Sequence, residues 1–174
     1  MVEYQRKDRY DINDLRDIMS ILRSPQGCPW DREQIHKSIR NDFIEEVYEA
    51  IEAIDLEDTE LLKEELGDVL LQIIFHCRIE EEKSCFDFDD ICDELCKKLI
   101  IRHPHVFGDI TVSDSGEVLK NWDSIKKETK GQTSYTETLT SVAKSLPALM
   151  RAQKVGKRAC LLYTSPSPRD TERS

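Results

Sequence analysis

From Ile12 to about Arg158 the apolar residues recur at three- and four-residue intervals, and no stretch shows the two-residue alternation of a half-buried strand. That period predicts an all-α chain: a small helical bundle. Ile12, Leu15, Ile18, Met19 and Leu22 mark a first helix with Asp11 as its N-cap, stopping near Ser24 because Pro25 and Gly27 follow. Cys28-Pro29-Trp30-Asp31 then leads into a second helix, expected over Arg32 to Asp55 with Ile35, Ile39, Phe43, Ile44, Val47, Ala50, Ile51 and Ile54 in helical spacing. A third is expected over Thr59 to Glu82. Its Leu66, Val69, Leu70, Leu71, Ile73, Ile74, Phe75 and Cys77 cover most of the circumference, which predicts burial on several sides and association of subunits. A fourth, Asp87 to Arg102, is expected to turn Ile91, Leu95, Leu99 and Ile100 inward, and a fifth should run from Gly116 to about Thr129.

The expected division is an extension over 1–10, a helical domain over 11–130, a polar linker over 131–146, a last helix over 147–160 opened by Pro147, and a tail over 161–174. The tail has no periodicity and is expected to be disordered or foreign to the fold. At 174 residues the chain can bury a core without disulfides. Its six cysteines contain no C-x-x-C pair, the charged N-terminus is no secretory signal, and no apolar run approaches a membrane span. A cytoplasmic protein with reduced thiols is expected, with no membrane partner.

The charge is concentrated. Between Asp42 and Asp68 stand twelve carboxylates and one base, Lys63, a local charge of −11 in a chain of −10, so the remaining residues sum to +1. Without a basic stripe, no nucleic-acid partner is expected. Within the acidic segment, Glu46 and Glu49 are three apart on the second helix, and Glu65 and Asp68 three apart on the third. Residues at that spacing share a helix face, so two antiparallel helices can aim all four carboxylates at one point. Left uncompensated the arrangement repels itself. A hard divalent cation removes the conflict, and all-oxygen ligands favour Mg²⁺, or Mn²⁺, over zinc. Glu52, Glu57, Asp58, Glu60 and Glu64 are read as a solvated face. Gly67 lies between Glu65 and Asp68 and lowers helix propensity by about 1 kcal/mol relative to Ala, which points to a close backbone approach there, with a merely tolerated glycine as the competing reading. A di-iron bundle is excluded, since it needs two Glu-x-x-His pairs and the chain has one, Glu33 with His36, and no EF-hand loop pattern occurs.

Five motifs occur in order: Cys28-Pro29-Trp30-Asp31, Glu45-Glu46-x-x-Glu49, Glu65-Leu66-Gly67-Asp68, Arg102-His103-Pro104-His105-Val106-Phe107, and Ser145 through Lys154 (S-L-P-A-L-M-R-A-Q-K). Together they resemble the MazG family of nucleoside triphosphate pyrophosphohydrolases over roughly Asp11 to Arg158. The resemblance implies an all-α homodimer and Mg²⁺-dependent cleavage of a nucleoside triphosphate to monophosphate and pyrophosphate. A nucleotide-pool housecleaning role goes with it. It carries the metal ligands onto Glu46, Glu49, Glu65 and Asp68. Glu45 points about 100° away from Glu46 and is placed as the water-activating base or an outer group. Lys98 and Arg102 resemble the family's phosphate-contacting pair, or else serve as bases at a helix C-terminus. Trp122 and Lys126 match a position for base stacking and charge, with a surface Trp as the competing reading. Trp30 either caps the core or stacks on a base. His103 and His105 are read as fixing their loop, and Cys92 with Cys96 as a helical core pair rather than a zinc site. Many family members carry two such domains, and the likeness stops after about Ala159, so a first domain of a longer protein is expected. The competing hypothesis is a non-catalytic helical module that binds nucleotide or a partner protein.

Overall fold

The computed structural model describes residues 4–118, 121, 122, 125 and 135–163. Among them every regular element is helical: α1 (Ile12–Leu22), α2 (Pro29–Glu33), α3 (Arg40–Asp55), α4 (Thr59–Glu81), α5 (Phe88–Arg102), α6 (Pro104–Phe107), α7 (Tyr135–Thr140) and α8 (Ala148–Tyr163). The chain divides into two compact units, Met1–Cys96 and Lys97–Ser174.

In the first unit α1 begins as its sequence predicts. The Asp11 carboxylate accepts from the N–H groups of Asn13 and Asp14, while Asp14 accepts from the Asp11 N–H, a reciprocal capping box. The reversal after α1 is tight: the Cys28 N–H donates to Leu22 O at 2.7 Å, and a Cβ at Gly27 would lie 2.1 Å from Ile21 O. Only glycine fits there.

The expected helix from Arg32 to Asp55 is two helices with a break at 34–39. The cause is Arg23. Its buried guanidinium donates to the carbonyls of Asp31 and Gln34, which a continuous helix would offer to the N–H groups of Ile35 and Ser38. Those two donors go instead to Ser38 Oγ and Ile35 O. The same guanidinium grips Glu82 through two bonds of 2.8 and 2.9 Å and lies 5.3 Å over the Phe75 ring. One side chain therefore joins α1, the α2–α3 break and the end of α4.

α3 and α4 form an antiparallel hairpin, with α1 packed on α4. The hairpin turns at Glu57, which holds a left-handed φ of 55°, and Asp58 caps α4 by accepting from Glu60 N–H and Leu61 N–H. The core is Met19, Ile39, Ile74, Phe75 and Ile79, with Leu15, Leu70, Leu71 and Phe88 packed against it. It lies along the C-terminal half of α4. α4 is thus covered on several sides there, but Leu66 near its start is exposed.

The expectation that α5 turns its apolar residues inward is not met: Ile91, Leu95, Leu99 and Ile100 are all exposed, and no residue of that helix is buried. On α3, Ile44, Val47, Ile51 and Ile54 are exposed as well, because α4 covers only the face bearing Ala50 and Ala53. In the second unit, residues 115–118, 121, 122 and 125 are helical, as the fifth-helix pattern predicts, and its remainder lies outside the described residues. Residues 135–140 of the supposed linker form α7, which packs on α8 through Arg158, whose guanidinium donates to Thr138 O and Ser141 Oγ. α8 continues through Tyr163, three residues into the supposed tail; 164–174 lie outside the described residues.

Arg23→Met is expected to lower the unfolding free energy by about 3 kcal/mol, because it strands Glu82 and two carbonyls that a methionine cannot satisfy. Arg23→Lys should recover little of this, lacking the planar fork. Urea denaturation followed by circular dichroism checks both.

Candidate metal centre

The hairpin geometry places the acidic pairs opposite one another. Glu49 and Glu65 are equally distant from the turn at Glu57, and so are Glu46 and Asp68. Glu46, Glu49 and Glu65 each present a carboxylate oxygen within 4.8 Å of the other two. Oxygens that share one cation at 2.0–2.6 Å lie at most about 4–5 Å apart, so this spacing fits a hard divalent ion. Asp68 stands beside this trio, close enough for its charge to act on both Glu46 and Glu65. Among the described residues no lysine, arginine or histidine is ion-paired to any of the four. The nearest base in sequence, Lys63, pairs with Glu60.

The electrostatics carry the signature of an uncompensated cluster. Partial burial raises the Glu46 carboxyl above its ordinary range, and the charges of Asp68, Glu49 and Glu65 raise it further. Burial raises Glu65 too, followed by Glu49, Asp68 and Glu64. A carboxyl whose folded value lies above its unfolded one costs the fold stability at neutral pH, and that cost is relieved as pH falls toward the raised value. A bound cation relieves it without protons. The donor set therefore fits the metal that the sequence pattern calls for.

The other candidate residues sort differently. Glu45 is exposed on the adjoining face of α3. Trp30 is 58% exposed and caps no core; its carbonyl accepts from Gln34 Nε2. Gly67 is not a close approach among the described residues, since a Cβ there would meet nothing within 4 Å. In the second unit Arg102 stacks its guanidinium 5.2 Å over the Trp122 ring, and its Nε is buried without a hydrogen-bond partner. The structure thus joins two residues that the sequence offered separately. Lys98 is exposed, and Lys126 lies outside the described residues. His103 Nδ1 is 2.6 Å from Leu99 O, so that histidine does tie its loop to α5, while Cys96 is exposed and Cys92 half-buried.

Two outcomes are expected. Mg²⁺ or Mn²⁺ should raise the thermal midpoint of the wild-type protein but not that of Glu46→Gln, which should itself be more stable than wild type without the cation. Gly67→Ala should gain about 0.5–1 kcal/mol, as for an open helical glycine. Differential scanning calorimetry with and without the cation reads both.

Residues 34–107 match the MazG nucleotide pyrophosphohydrolase domain. The chain is 48% identical over 148 residues to the uncharacterized protein YabN of Bacillus subtilis, covering 85% of this chain and 30% of that one. It is 47% identical to the nucleoside triphosphate pyrophosphohydrolase of Escherichia coli K12, covering 84% of this chain and 56% of the relative. Among solved structures, the mazG-related protein from Thermotoga maritima superposes with a TM-score of 0.56 at 25% identity, covering 67% of this chain and 99% of that one. The chain spans about a third to a little over half the length of these two curated relatives. The domain match contains both acidic pairs, so the candidate metal centre lies in the all-helical segment of this chain that is similar to the MazG nucleotide pyrophosphohydrolase domain.

Proposed function

We propose that this chain hydrolyses nucleoside triphosphates to nucleoside monophosphate and pyrophosphate, using Mg²⁺ held by Glu46, Glu49, Glu65 and Asp68. The observation that carries the reading is the carboxylate cluster across α3 and α4, to which no base among the described residues is ion-paired. The name of the Escherichia coli relative supports it. A triphosphate cannot approach four carboxylates unaided, so the cluster makes sense only with cations between the two.

When bound, the cation supplies charge neutralisation and Lewis acidity at the α-phosphoryl group. The chain's own residues do the rest. Water attacks the α-phosphorus, forming one P–O bond while the bond to the bridging oxygen of the β-phosphate breaks, and pyrophosphate leaves with that electron pair. Glu45, exposed beside the cluster and not needed as a ligand, accepts the proton that water gives up. Lys98 and Arg102 neutralise phosphate oxygens. Trp122 offers a face to the base, with its neighbour Arg102 holding the ring in place, and Trp30 and Lys126 are further contacts for the nucleotide. Removal of surplus or noncanonical triphosphates in the cytoplasm is the role such an activity serves. No helix among the described residues is long and apolar enough to cross a membrane.

A homodimer belongs to the same proposal. Ile91, Leu95 and Leu99 form an exposed stripe at four-residue spacing on α5, and Ile44, Val47 and Ile51 another on α3. Stripes of this kind in a helical chain are ordinarily covered by a partner.

Pyrophosphate release from a panel of triphosphates with Mg²⁺ should show turnover that Glu49→Ala lowers about 100-fold or more while its helical dichroism is retained. Binding of Mg²⁺ and nucleotide with no turnover of any triphosphate would favour the non-catalytic module. Sedimentation should give a two-chain mass, and Leu95→Asp should shift it to one chain.

A further inference from the structure

We propose that His36 and His76 form a positioning pair for the metal helix, holding the start of α3 against α4 only while the two rings share fewer than four ring protons. The inference rests on the reading of Glu46 and Glu49 as cation ligands. It concerns a cluster that takes no part in that site.

His36 lies in the break just before α3, and His76 near the C-terminal end of α4. Their Nδ1 atoms are 2.8 Å apart, and the rings stack with centroids 5.0 Å apart at 19°. The other nitrogen of His36, Nε2, bonds Glu80, which also accepts from Lys83 Nζ at 2.7 Å and has the Cys85 thiol beside it. On the far side the His76 ring packs 5.5 Å from Phe43 in the first turn of α3. A continuous chain of contacts therefore runs from Lys83 through Glu80, His36 and His76 to Phe43, one turn before Glu46. α3 needs such support: its N-cap is Ile39, which supplies no side-chain cap.

Two facing ring nitrogens hold together through one hydrogen and no more. With both rings neutral, His36 Nε2–H donates to Glu80 and His76 Nδ1–H donates to His36 Nδ1. One added proton fits: His36 then donates from both nitrogens, and His76 carries its hydrogen on Nε2 instead of Nδ1. A second sets N–H against N–H and the contact is lost.

Among the described residues the titratable group that acts on His76 is His36, from the break; from α3 comes the uncharged Phe43. Glu80, Lys83 and Cys85 stand behind His36. Burial, and then the neighbouring His36, hold His76 below the ordinary histidine range. An unfolded histidine takes up a proton near pH 6.5, so the contribution of His76 is present above that value and is lost as pH falls from it toward the lowered folded value. Glu80, held at about 2, responds in a separate window, below its unfolded value of 4.5. Glu46 and Glu65 act with the opposite sign, since their raised values relieve the fold as pH falls.

Two variants and two measurements test the pair. His76→Gln keeps a side-chain N–H for His36 Nδ1 but does not titrate, and His76→Ala removes the contact. Without metal, the fall in thermal midpoint of the wild type between pH 7.5 and 5.5 should flatten in His76→Gln. At pH 7.5, Mn²⁺ affinity measured by calorimetry should drop about tenfold in His76→Ala and stay within about twofold of wild type in His76→Gln. An unchanged acid fall in His76→Gln, or wild-type Mn²⁺ affinity in His76→Ala, overturns the proposal. Failure of the wild type itself to bind Mn²⁺ overturns the metal reading instead, and the thermal comparison still decides whether the pair counts protons.

Discussion

The constraint on which the first unit turns is the mutual repulsion of carboxylates that a two-helix hairpin brings within 4.8 Å of one another. Helix periodicity puts Glu46 above Glu49 and Glu65 above Asp68, and the tight turn at Glu57 leaves the pairs no choice but to face each other. Attraction between α3 and α4 must therefore be supplied elsewhere. It comes from the core along the C-terminal half of α4 and from Ala50 and Ala53, whose small side chains let α3 lie close. The cluster stays half-buried to exposed, in a setting where solvent limits the cost and an ion can enter.

That division of labour explains why Arg23 matters so far from the cluster. An acidic hairpin needs bracing at the end that carries no site, and the guanidinium closes that end by joining α1, the break and Glu82. It holds the Glu82 carboxyl below its ordinary range, in contrast to the raised Glu46 and Glu65. One protein thus contains carboxylates shifted in both directions, according to whether a base stands beside them. The paired one stabilises the fold at neutral pH; the unpaired ones cost it stability until a cation arrives.

Local features of the sequence translated directly into structure. Asp11 and Asp58 cap their helices, the α4 pattern gives a helix of nearly the expected length, and three members of the i, i+3 acidic pairs, Glu46, Glu49 and Glu65, converge, with Asp68 beside them. What did not translate depends on distance along the chain. The break before α3 is made by a guanidinium eight to eleven residues upstream that takes two carbonyls, which no helical pattern in 32–55 could announce. The apolar stripe of α5 was legible as a stripe, but whether a stripe faces its own chain or another is a property of the assembled surface. Gly67 failed for a similar reason: a low-propensity residue signals that something approaches, and nothing among the described residues does. The pairing of Arg102 with Trp122 joins residues twenty apart whose meeting follows from the path of the chain between them.

The histidine pair shows how an acidic site can be kept in register by groups that share none of its charge. A base placed among Glu46, Glu49, Glu65 and Asp68 would relieve their repulsion permanently and compete with the cation. An imidazole pair that reaches α3 through Phe43, one turn before Glu46, fixes the start of that helix without doing so, because it bonds to none of the four carboxylates. Glu80 completes the arrangement by orienting His36 through Nε2, which leaves Nδ1 free to meet its partner, and Lys83 balances the charge of Glu80 on the side away from the rings. The metal helix is thereby held by a contact that stands apart from the charged cluster. It weakens as protons become abundant enough to begin neutralising the carboxylates themselves, so the support for the site and the site's need for a cation decline together.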